Sequence, residues 1–252
     1  MAQTVTVILG LGGEVGDAIA RRFHEEGHAV LAADTDQSRI DKARDSLPDK
    51  VALFHGDLQT RLGLRNCFAA AEESHPQVDR LVIVPRLPDS DTLVGLDVDK
   101  FQATVGHSVK AVTVAMTLFA ERIAALEDEY AARAERMRQH GSITVILSQI
   151  AQLHEPAHFS QAVSQAAILA AVRAAALELA PHSIRVNAIS AIRPRAETAE
   201  NWQKSRVPAG RAALGDEIAD AALFLSSPAS AIITGETLVL DGGRQVLAGK
   251  VS

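Results

Sequence analysis

The sequence predicts a single α/β domain with a doubly wound parallel sheet of about seven strands flanked by helices. Short runs rich in Val and Ile alternate with longer helical patterns along the 252 residues, as in chains built from strand–helix–strand units. The runs are continuously apolar, which indicates strands buried on both faces of a sheet. Neither a Pro-, Gly- or Ser-rich linker nor a repeat divides the sequence, so we assign residues 1–252 to one domain.

Each predicted element follows from its local pattern. The seven predicted strands are Val5–Leu9, Ala29–Ala33, Val51–His55, Arg80–Val84, Ser142–Leu147, Arg185–Ile189 and Thr237–Leu240. The predicted helices lie near residues 15–26, 37–46, 60–73, 99–138, 160–180 and 216–226. We expect them to pack on both faces of the sheet, because parallel strands need crossover connections.

Two of the predicted helices differ in how their apolar residues are distributed. In the last helix, Ile218, Ala222 and Leu225 form an ordinary stripe that faces a core. The helix over residues 160–180 is apolar nearly all round and rich in alanine. A helix that is apolar on every side must be buried on every side, so we expect one of its faces to contact another subunit.

Composition and charge indicate which kinds of partner and which cellular compartment to expect. The net charge is −6 and the basic residues are scattered, which argues against a nucleic-acid or membrane surface and favours small molecules or protein subunits as partners. Cys67 is the only cysteine, which excludes an internal disulfide, and we interpret it as a core residue. The longest apolar stretch, 166–180, is short and interrupted by Arg173 and Glu178. With no signal-peptide pattern at the start, we expect a cytoplasmic protein.

A glycine-rich segment follows the first strand and precedes a helix. It reads Gly10-Leu11-Gly12-Gly13-Glu14-Val15-Gly16. Such a turn lets backbone N–H groups approach a pyrophosphate at the helix N-terminus, although glycine-rich turns also close ordinary strand–helix units. Asp34 ends the second strand, where a carboxylate accepts hydrogen bonds from an adenosine ribose. The pattern favours a nucleotide site and leaves a purely structural turn open.

Three further stretches carry a family resemblance. They are Ile184-Arg185-Val186-Asn187-Ala188-Ile189, residues 219–225, and the ending Thr234-Gly235-Glu236-Thr237-Leu238-Val239-Leu240-Asp241-Gly242-Gly243. On these residues the chain resembles the short-chain dehydrogenase/reductase family over essentially its whole length, and most closely the branch of 3-oxoacyl carrier-protein reductases and related alcohol dehydrogenases. The resemblance implies a Rossmann-type fold, an oxidoreductase ancestry and a dinucleotide cofactor.

The same resemblance assigns the cofactor residues. Gly10 and Gly16 match the outer glycines of the family's Thr-Gly-x-x-x-Gly-x-Gly turn, and Asp57 matches the position that touches the adenine ring. Asp34 implies a preference for NAD over NADP. The predicted cofactor-binding residues are therefore Gly10, Gly12, Gly13, Glu14, Val15, Gly16, Asp34, Asp57 and Leu58.

The cofactor region also departs from the family. Glu14 stands at the middle glycine of the turn, and a carboxylate ~4 Å from a phosphate charge would cost at most about 4 kcal/mol at an effective dielectric constant near 20. The family's Asn-Asn-Ala-Gly after the fourth strand is Ile83-Val84-Pro85-Arg86, and its Pro-Gly after the sixth is Ala191-Ile192. We therefore expect NAD binding to be weak.

The family's reaction uses an Asn, a Ser, a Tyr and a Lys, and most of these are replaced. Ser148 at the end of the fifth strand matches the serine, and Ser108 stands at the asparagine position. Thirteen residues after Ser148, the tyrosine position holds Gln161, and four further on the lysine position holds Gln165. A glutamine amide does not titrate near neutral pH, so this pair cannot act as general acid or base, and the ordinary dehydrogenase mechanism is excluded.

Three histidines lie near the expected cleft, namely His107, His154 and His158. Histidine carries protons near pH 7, so His158, three residues before Gln161, is the candidate for a replacement donor. We favour the interpretation that all three are loop or rim residues. No Cys, Asp or Glu accompanies them at ligand spacing, apart from the isolated Glu155, so we predict no metal site.

The spacing from Ser108 to Ser148 is 40 residues, longer than is usual in the family. The excess falls within residues 124–140, which are charged, Ala-rich and helical in composition. It is either a solvated helix extension or, because the resemblance places this helix at the main dimer interface, an element that changes the choice of partner.

Three functional hypotheses follow. The favoured one is a non-catalytic (pseudoenzyme) subunit that pairs with an active relative in a hetero-oligomeric NAD-dependent hydroxyacyl or alcohol dehydrogenase, as in a complex of the hydroxybenzylsuccinyl-CoA dehydrogenase type, with an acyl-CoA-type substrate at the level of the complex. The second is an active NAD(H)-dependent oxidoreductase with an atypical proton donor such as His158. The third is a homomeric ligand-binding or regulatory protein. The substrate stays open in all three.

Overall fold

The computed structural model describes residues 3–73, 78–86, 89–125, 141–192 and 206–247. Seven parallel strands in this part of the chain form one sheet in the order β3-β2-β1-β4-β5-β6-β7, which confirms the predicted fold class. The strands are β1 Val5–Leu9, β2 Ala29–Asp34, β3 Ala52–His55, β4 Arg80–Ile83, β5 Gly141–Ser148, β6 Ile184–Ala191 and β7 Thr237–Leu240.

Six α-helices flank the sheet within the described residues. They are α1 Glu14–Glu25, α2 Gln37–Ser46, α3 Arg61–Glu72, α4 Val98–Ala124, α5 Phe159–Leu179 and α6 Gly215–Ser226. The prediction of one helix over residues 99–138 was wrong in its extent. α4 ends at Ala124, one residue after Ile123, its last buried apolar residue. Residues 126–140, which include most of the segment that we expected to extend this helix, lie outside the described part of the chain.

The sheet separates two apolar cores. One core contains side chains of α3, α4 and α5, such as Phe68, Phe119 and Ile168. The other lies against α1, α2 and α6. Successive strand residues serve opposite cores, since Val7 packs in the first and Ile8 in the second, and this explains why the strands are continuously apolar. Cys67 is fully buried on α3, and burial raises the pKa of its thiol to about 12, as expected of a core residue.

Helix α5 is covered on one side only. Ile168, Val172 and Ala176 are buried, whereas Ala170 and Ala174 are exposed and the side chain of Leu177 is 80% exposed.

By length and composition alone, α4 and the segment Phe159–His182 are apolar enough to cross a bilayer. Both helices contribute buried residues to the core against the sheet, and 28% and 33% of their apolar windows are buried.

The strand order creates a crevice above β1. The chain runs from β1 outward to β2 and β3, and then returns to the other side of β1 to form β4. In open parallel sheets, ligands bind at the carboxyl ends of the strands where the winding direction reverses. The glycine turn after β1 therefore lies at the expected binding position.

Close packing fixes the glycine turn. Gly10 has a φ of +109°, and a Cβ atom there would lie 2.4 Å from the carbonyl oxygen of Val84. At Gly16, a Cβ would lie 2.2 Å from the carbonyl oxygen of Gly10. Gly13 is different, because a Cβ there would meet no atom within 4 Å. Gly10 and Gly16 thus close the turn, and Gly13 faces the open crevice.

This packing predicts unequal losses of stability for two alanine substitutions in one turn. Gly16→Ala should lower the free energy of unfolding by about 3 kcal/mol, because the new methyl group overlaps backbone that cannot move independently. Gly13→Ala, the matched control, should cost less than about 1 kcal/mol, the scale of an altered helix cap. Urea denaturation of both variants measures the difference, and equal losses would contradict the assigned roles of the two glycines.

Candidate functional site

Two adjoining pockets occupy the crevice at the carboxyl ends of β1, β2 and β4. Gly10, Arg39 and the segment 84–86 line both of them. The predicted residues found in the first pocket are Gly10, Asp34, Leu58, His107 and Ser108. Those found in the second are Gly10, Gly13, Glu14, Val15 and Gly16. The structure thus brings most of the predicted cofactor residues together.

Two of the predicted cofactor residues do not line either pocket. Gly12 is covered by α2, since a Cβ there would lie 2.2 Å from the Cβ of Arg39. The Asp57 side chain is exposed, and its Oδ1 accepts a hydrogen bond from the Gln59 N–H at 3.0 Å. Asp57 therefore shapes the loop after β3, and its neighbour Leu58 supplies the pocket wall.

Asp34 ties the turn to the end of β2. It is 6% exposed, and its Oδ2 and Oδ1 accept hydrogen bonds from the N–H groups of Leu11 and Asp36, both at 2.9 Å. An ionised carboxylate offers about four lone pairs. Asp34 therefore fixes the loop and still has acceptor capacity for the hydroxyl groups of a ribose.

Sequence reasoning missed a cluster of two arginines around Asp36. Arg86 Nη2 donates to Asp36 Oδ2 at 3.0 Å, and Arg39 Nε lies 4.0 Å from the same oxygen. Arg39 also donates to the Leu11 carbonyl oxygen at 3.0 Å. Hydrogen bonds from Ser38, and then from Arg86, lower the pKa of Asp36, so this carboxylate is ionised. The one signal in the sequence was Arg86 itself, which stands where the family has glycine.

Glu14 lines the second pocket and also contacts the N-terminus of α6. Its Oε1 accepts a hydrogen bond from the Gly215 N–H at 3.3 Å, at the N-terminus of α6. A helix N-terminus stabilises a carboxylate. The two helices approach closely here, because a Cβ on Gly215 would lie 2.7 Å from the Glu14 carbonyl oxygen. The expected repulsion between Glu14 and a bound phosphate is therefore smaller than the upper figure derived from the sequence.

At the position of the family's lysine, Gln165 binds the end of β5. It is fully buried, with 0% exposure, and its Oε1 accepts a hydrogen bond from the Ser148 backbone N–H at 2.9 Å. Among the described residues its Nε2 has no hydrogen-bond partner and is sealed from solvent. A lysine ammonium has no acceptor and cannot make this contact. The replacement thus converts a donor position into an acceptor that holds the backbone.

The other members of the former tetrad are less closely connected. Gln161 is 3% exposed, and Ser148 is half-buried at the end of β5. Ser108 is half-buried on α4 and lines the first pocket. The structure therefore joins Ser148 to Gln165 by a hydrogen bond. It places Ser108 in the first pocket, together with Asp34 and Leu58.

The three histidines occupy rim or capping positions. His107 and His154 are exposed, and His154 Nδ1 lies 3.2 Å from the Ile150 carbonyl oxygen. His158 is the N-cap residue of α5 and is half-buried. Within the described residues, no group of three or more His, Cys, Asp or Glu side chains is arranged to hold a metal ion.

Asp91 fastens the loop before α4 to the start of α5. Its N–H donates to the Ala157 carbonyl oxygen at 3.1 Å, and its carbonyl oxygen accepts from the Phe159 N–H at 3.3 Å. Its carboxylate accepts from the Ser160 N–H at 2.9 Å and from the Ser160 hydroxyl. These bonds fix the helix that carries Gln161 and Gln165.

The residues present fit the adenosine half of a dinucleotide better than its nicotinamide half. Asp34 and Leu58 line the first pocket, and the turn is open at Gly13. At the other end, the family's lysine, which holds the nicotinamide ribose, is replaced by Gln165, whose amide is committed to Ser148. The contact that the family's lysine makes with the nicotinamide ribose therefore has no counterpart at position 165.

Comparison with known proteins identifies the family. A family model described as Enoyl-(Acyl carrier protein) reductase matches residues 12–245. The chain is 26% identical to the NAD-dependent glycerol dehydrogenase of Listeria innocua, over 96% of this chain and 94% of the relative. It is 30% identical to the galactitol 2-dehydrogenase of Cereibacter sphaeroides, over 95% and 94% of the two chains. A 3-oxoacyl-[acyl-carrier-protein] reductase from Thermotoga maritima is 25% identical, over 95% and 96%.

A solved structure shares the fold over nearly the full chain. The crystal structure of 3-ketoacyl-(acyl-carrier-protein) reductase from Brucella melitensis complexed with NADH superposes with a TM-score of 0.85. It covers 96% of this chain and 98% of that chain, at 24% identity. With the family model matching almost the entire sequence, this chain belongs to the short-chain dehydrogenase/reductase family of oxidoreductases, close to the 3-oxoacyl carrier-protein reductase branch.

Proposed function

We propose that this chain is a non-catalytic subunit of an NAD-dependent hydroxyacyl or alcohol dehydrogenase, assembled with a catalytically intact relative. The observation that carries the proposal is the hydrogen bond of 2.9 Å from the N–H of the half-buried Ser148 to Oε1 of the fully buried Gln165. At the position where the family has a cationic lysine that contacts the cofactor, this chain has a neutral glutamine whose side chain binds the backbone of β5.

The proposal has a consequence for the proton-transfer step of carbonyl reduction. Reduction of a carbonyl requires a proton for the new alkoxide oxygen, and Gln161 and Gln165 have no titratable group to deliver it. Loss of a positioned acid or base typically costs about 10²–10⁴ in rate. Residues that act as a unit lose their effect together, so the remaining Ser148 contributes a hydrogen bond and no proton transfer.

Exposed apolar surface supports an assembly role. Ala170, Ala174 and Leu177 form the uncovered face of α5. On the other side of the molecule, Phe224 and Ile232 are also exposed, the latter to 96%. By family resemblance these regions form two subunit interfaces. Burying such surface contributes about 25 cal/mol per Å², whereas leaving it exposed invites aggregation.

The first prediction concerns activity of the isolated chain. We expect no turnover of 3-oxoacyl thioesters or simple ketones with NADH, followed by cofactor absorbance. The double variant Gln161→Tyr, Gln165→Lys should not restore a normal rate, because residues 83–86 and 191–192 still depart from the family. Turnover by the unmodified chain above about one per second, an ordinary enzyme rate, would contradict the proposal. If that turnover disappeared in His158→Ala, an atypical proton donor would be the better account.

The second prediction concerns stability. Gln165→Lys should lower the free energy of unfolding by about 2–4 kcal/mol, because it buries an ammonium group and leaves the Ser148 N–H without an acceptor. The control Gln165→Glu keeps an acceptor oxygen and is neutral once protonated, so its loss should be smaller at acidic than at alkaline pH. Urea unfolding at several pH values tests both. A lysine variant as stable as the parent would show that the Gln165 contact is dispensable.

The third prediction concerns the assembly. Native mass spectrometry of the protein taken from its own cells should show this chain together with a second, non-identical subunit of the same family. The physical reason is that an exposed apolar helix such as α5 is stabilised by burial against a partner. A monomer, or a homo-oligomer alone under gentle conditions, would overturn the heteromeric role and favour a homomeric binding protein.

A further inference from the structure

We propose that the crevice above β1 binds the adenosine 5′-diphosphate group of a ligand, with Arg86 and Arg39 as its phosphate-binding residues. The nicotinamide end of a dinucleotide contributes nothing to this site. The proposal goes beyond the subunit role and does not depend on it.

The position of Arg86 follows from the strand order. Arg86 comes after β4 and Asp36 after β2, and β1 lies between these two strands. Neighbouring strands are about 4.8 Å apart, so the ion pair between Arg86 and Asp36, at 3.0 Å, spans the end of β1 beside the glycine turn. Because Arg86 also lines both pockets of the crevice, its guanidinium is within reach of a ligand bound there.

The ion pair is easily exchanged for a ligand contact. The side chains of Arg86 and Asp36 are 59% and 35% exposed, and exposed ion pairs of this kind contribute little to stability. A guanidinium binds phosphate through charge-assisted, two-pronged hydrogen bonds, which are stronger. A phosphate group is thus a better partner for Arg86 than Asp36, and the carboxylate holds the side chain near the crevice until a ligand arrives.

The carboxylates that line the two pockets are each engaged by groups of the protein. Glu14 accepts from the Gly215 N–H, and Asp34 accepts from two backbone N–H groups. Asp89 lies 3.8 Å from Lys100 Nζ. Arg39 and Arg86 line both pockets, so the two guanidinium groups lie where the first pocket meets the glycine turn, with Arg39 Nη1 also 3.9 Å from Asp34 Oδ2.

The two ends of the crevice differ in what they accept. The walls of the first pocket include the apolar side chains of Leu9, Leu58 and Val112, which suit an adenine ring, and Asp34 retains acceptors for ribose hydroxyls. At the other end Gln165 is sealed and bound to Ser148. Within the described part of the chain, the site therefore matches a ligand as far as its diphosphate, and Gln165 gives the nicotinamide ribose no contact in place of the family's lysine.

Calorimetric titration of the full chain with ADP, coenzyme A and NADH tests this assignment. ADP should bind in the micromolar range, and NADH should bind no more than about threefold more tightly, since the nicotinamide adds no contact. Coenzyme A carries the same diphosphate with an additional 3′-phosphate. Stronger binding of coenzyme A than of ADP would identify an acyl carrier as the source of the group, and similar binding would identify a free nucleotide. Both results support the proposal.

Variants assign the phosphate contacts. Arg86→Ala should weaken ADP binding about tenfold or more, and Arg86→Lys should recover only part of this loss because it lacks the forked geometry. Arg44→Ala is the matched control: this exposed arginine on α2 pairs with Asp41 at 3.1 Å and should leave ADP affinity unchanged. Arg39 also packs on Gly12, so Arg39→Ala could weaken ADP binding by destabilising the turn. Thermal unfolding of this variant separates that effect from loss of a phosphate contact.

Three results would overturn the proposal. They are NADH binding more than about tenfold tighter than ADP, an Arg86→Ala variant that binds ADP as well as or better than the parent, and no detectable binding of ADP, coenzyme A or NADH. The last result would leave the non-catalytic subunit role intact. Conversely, turnover by the isolated chain would overturn that role without affecting the ADP measurement.

Discussion

The hydrogen bond between the Ser148 N–H and the Gln165 carboxamide joins the end of β5 to α5 at the point where the family carries out its chemistry. Because Gln165 is fully buried, this bond forms in a low-dielectric setting where an unpaired N–H is costly. Asp91 anchors the start of the same helix through Ser160. The helix that carries Gln161 and Gln165 is therefore held to its neighbours by neutral and capping interactions.

The nucleotide crevice has been altered differently from the catalytic end. Its closing glycines keep their close contacts, and Asp34 still fixes the turn to β2. Glu14 adds a carboxylate, but a backbone N–H of α6 accommodates it. Arg86 adds a guanidinium above β1. The replacement of the family's tyrosine and lysine by Gln161 and Gln165 thus coexists with a crevice that keeps its closing glycines and gains the guanidinium of Arg86.

The fold was predictable from the sequence because continuous apolar strands and periodic helices are local signals. The site was predictable only in part. Ser148, Gln161 and Gln165 were located by spacing, but the direction of the Glu14 side chain depends on Gly215, which is 201 residues away. The Arg86–Asp36 pair depends on strand order, which brings together residues 50 apart. The end of α4 was missed because the helical composition continues past Ile123, where its buried face stops.

The central claim is that this chain contributes structure to a dehydrogenase and leaves the proton transfer to its partner. The most direct measurement is the turnover of the purified complex when each subunit is inactivated separately. Ser148→Ala in this chain preserves the backbone N–H that Gln165 binds, and the account predicts that turnover stays within about twofold of the parent complex. Replacing the intact tyrosine of the partner should abolish turnover, as expected for a positioned proton donor. A loss of tenfold or more from Ser148→Ala, with the complex still assembled, would contradict the account.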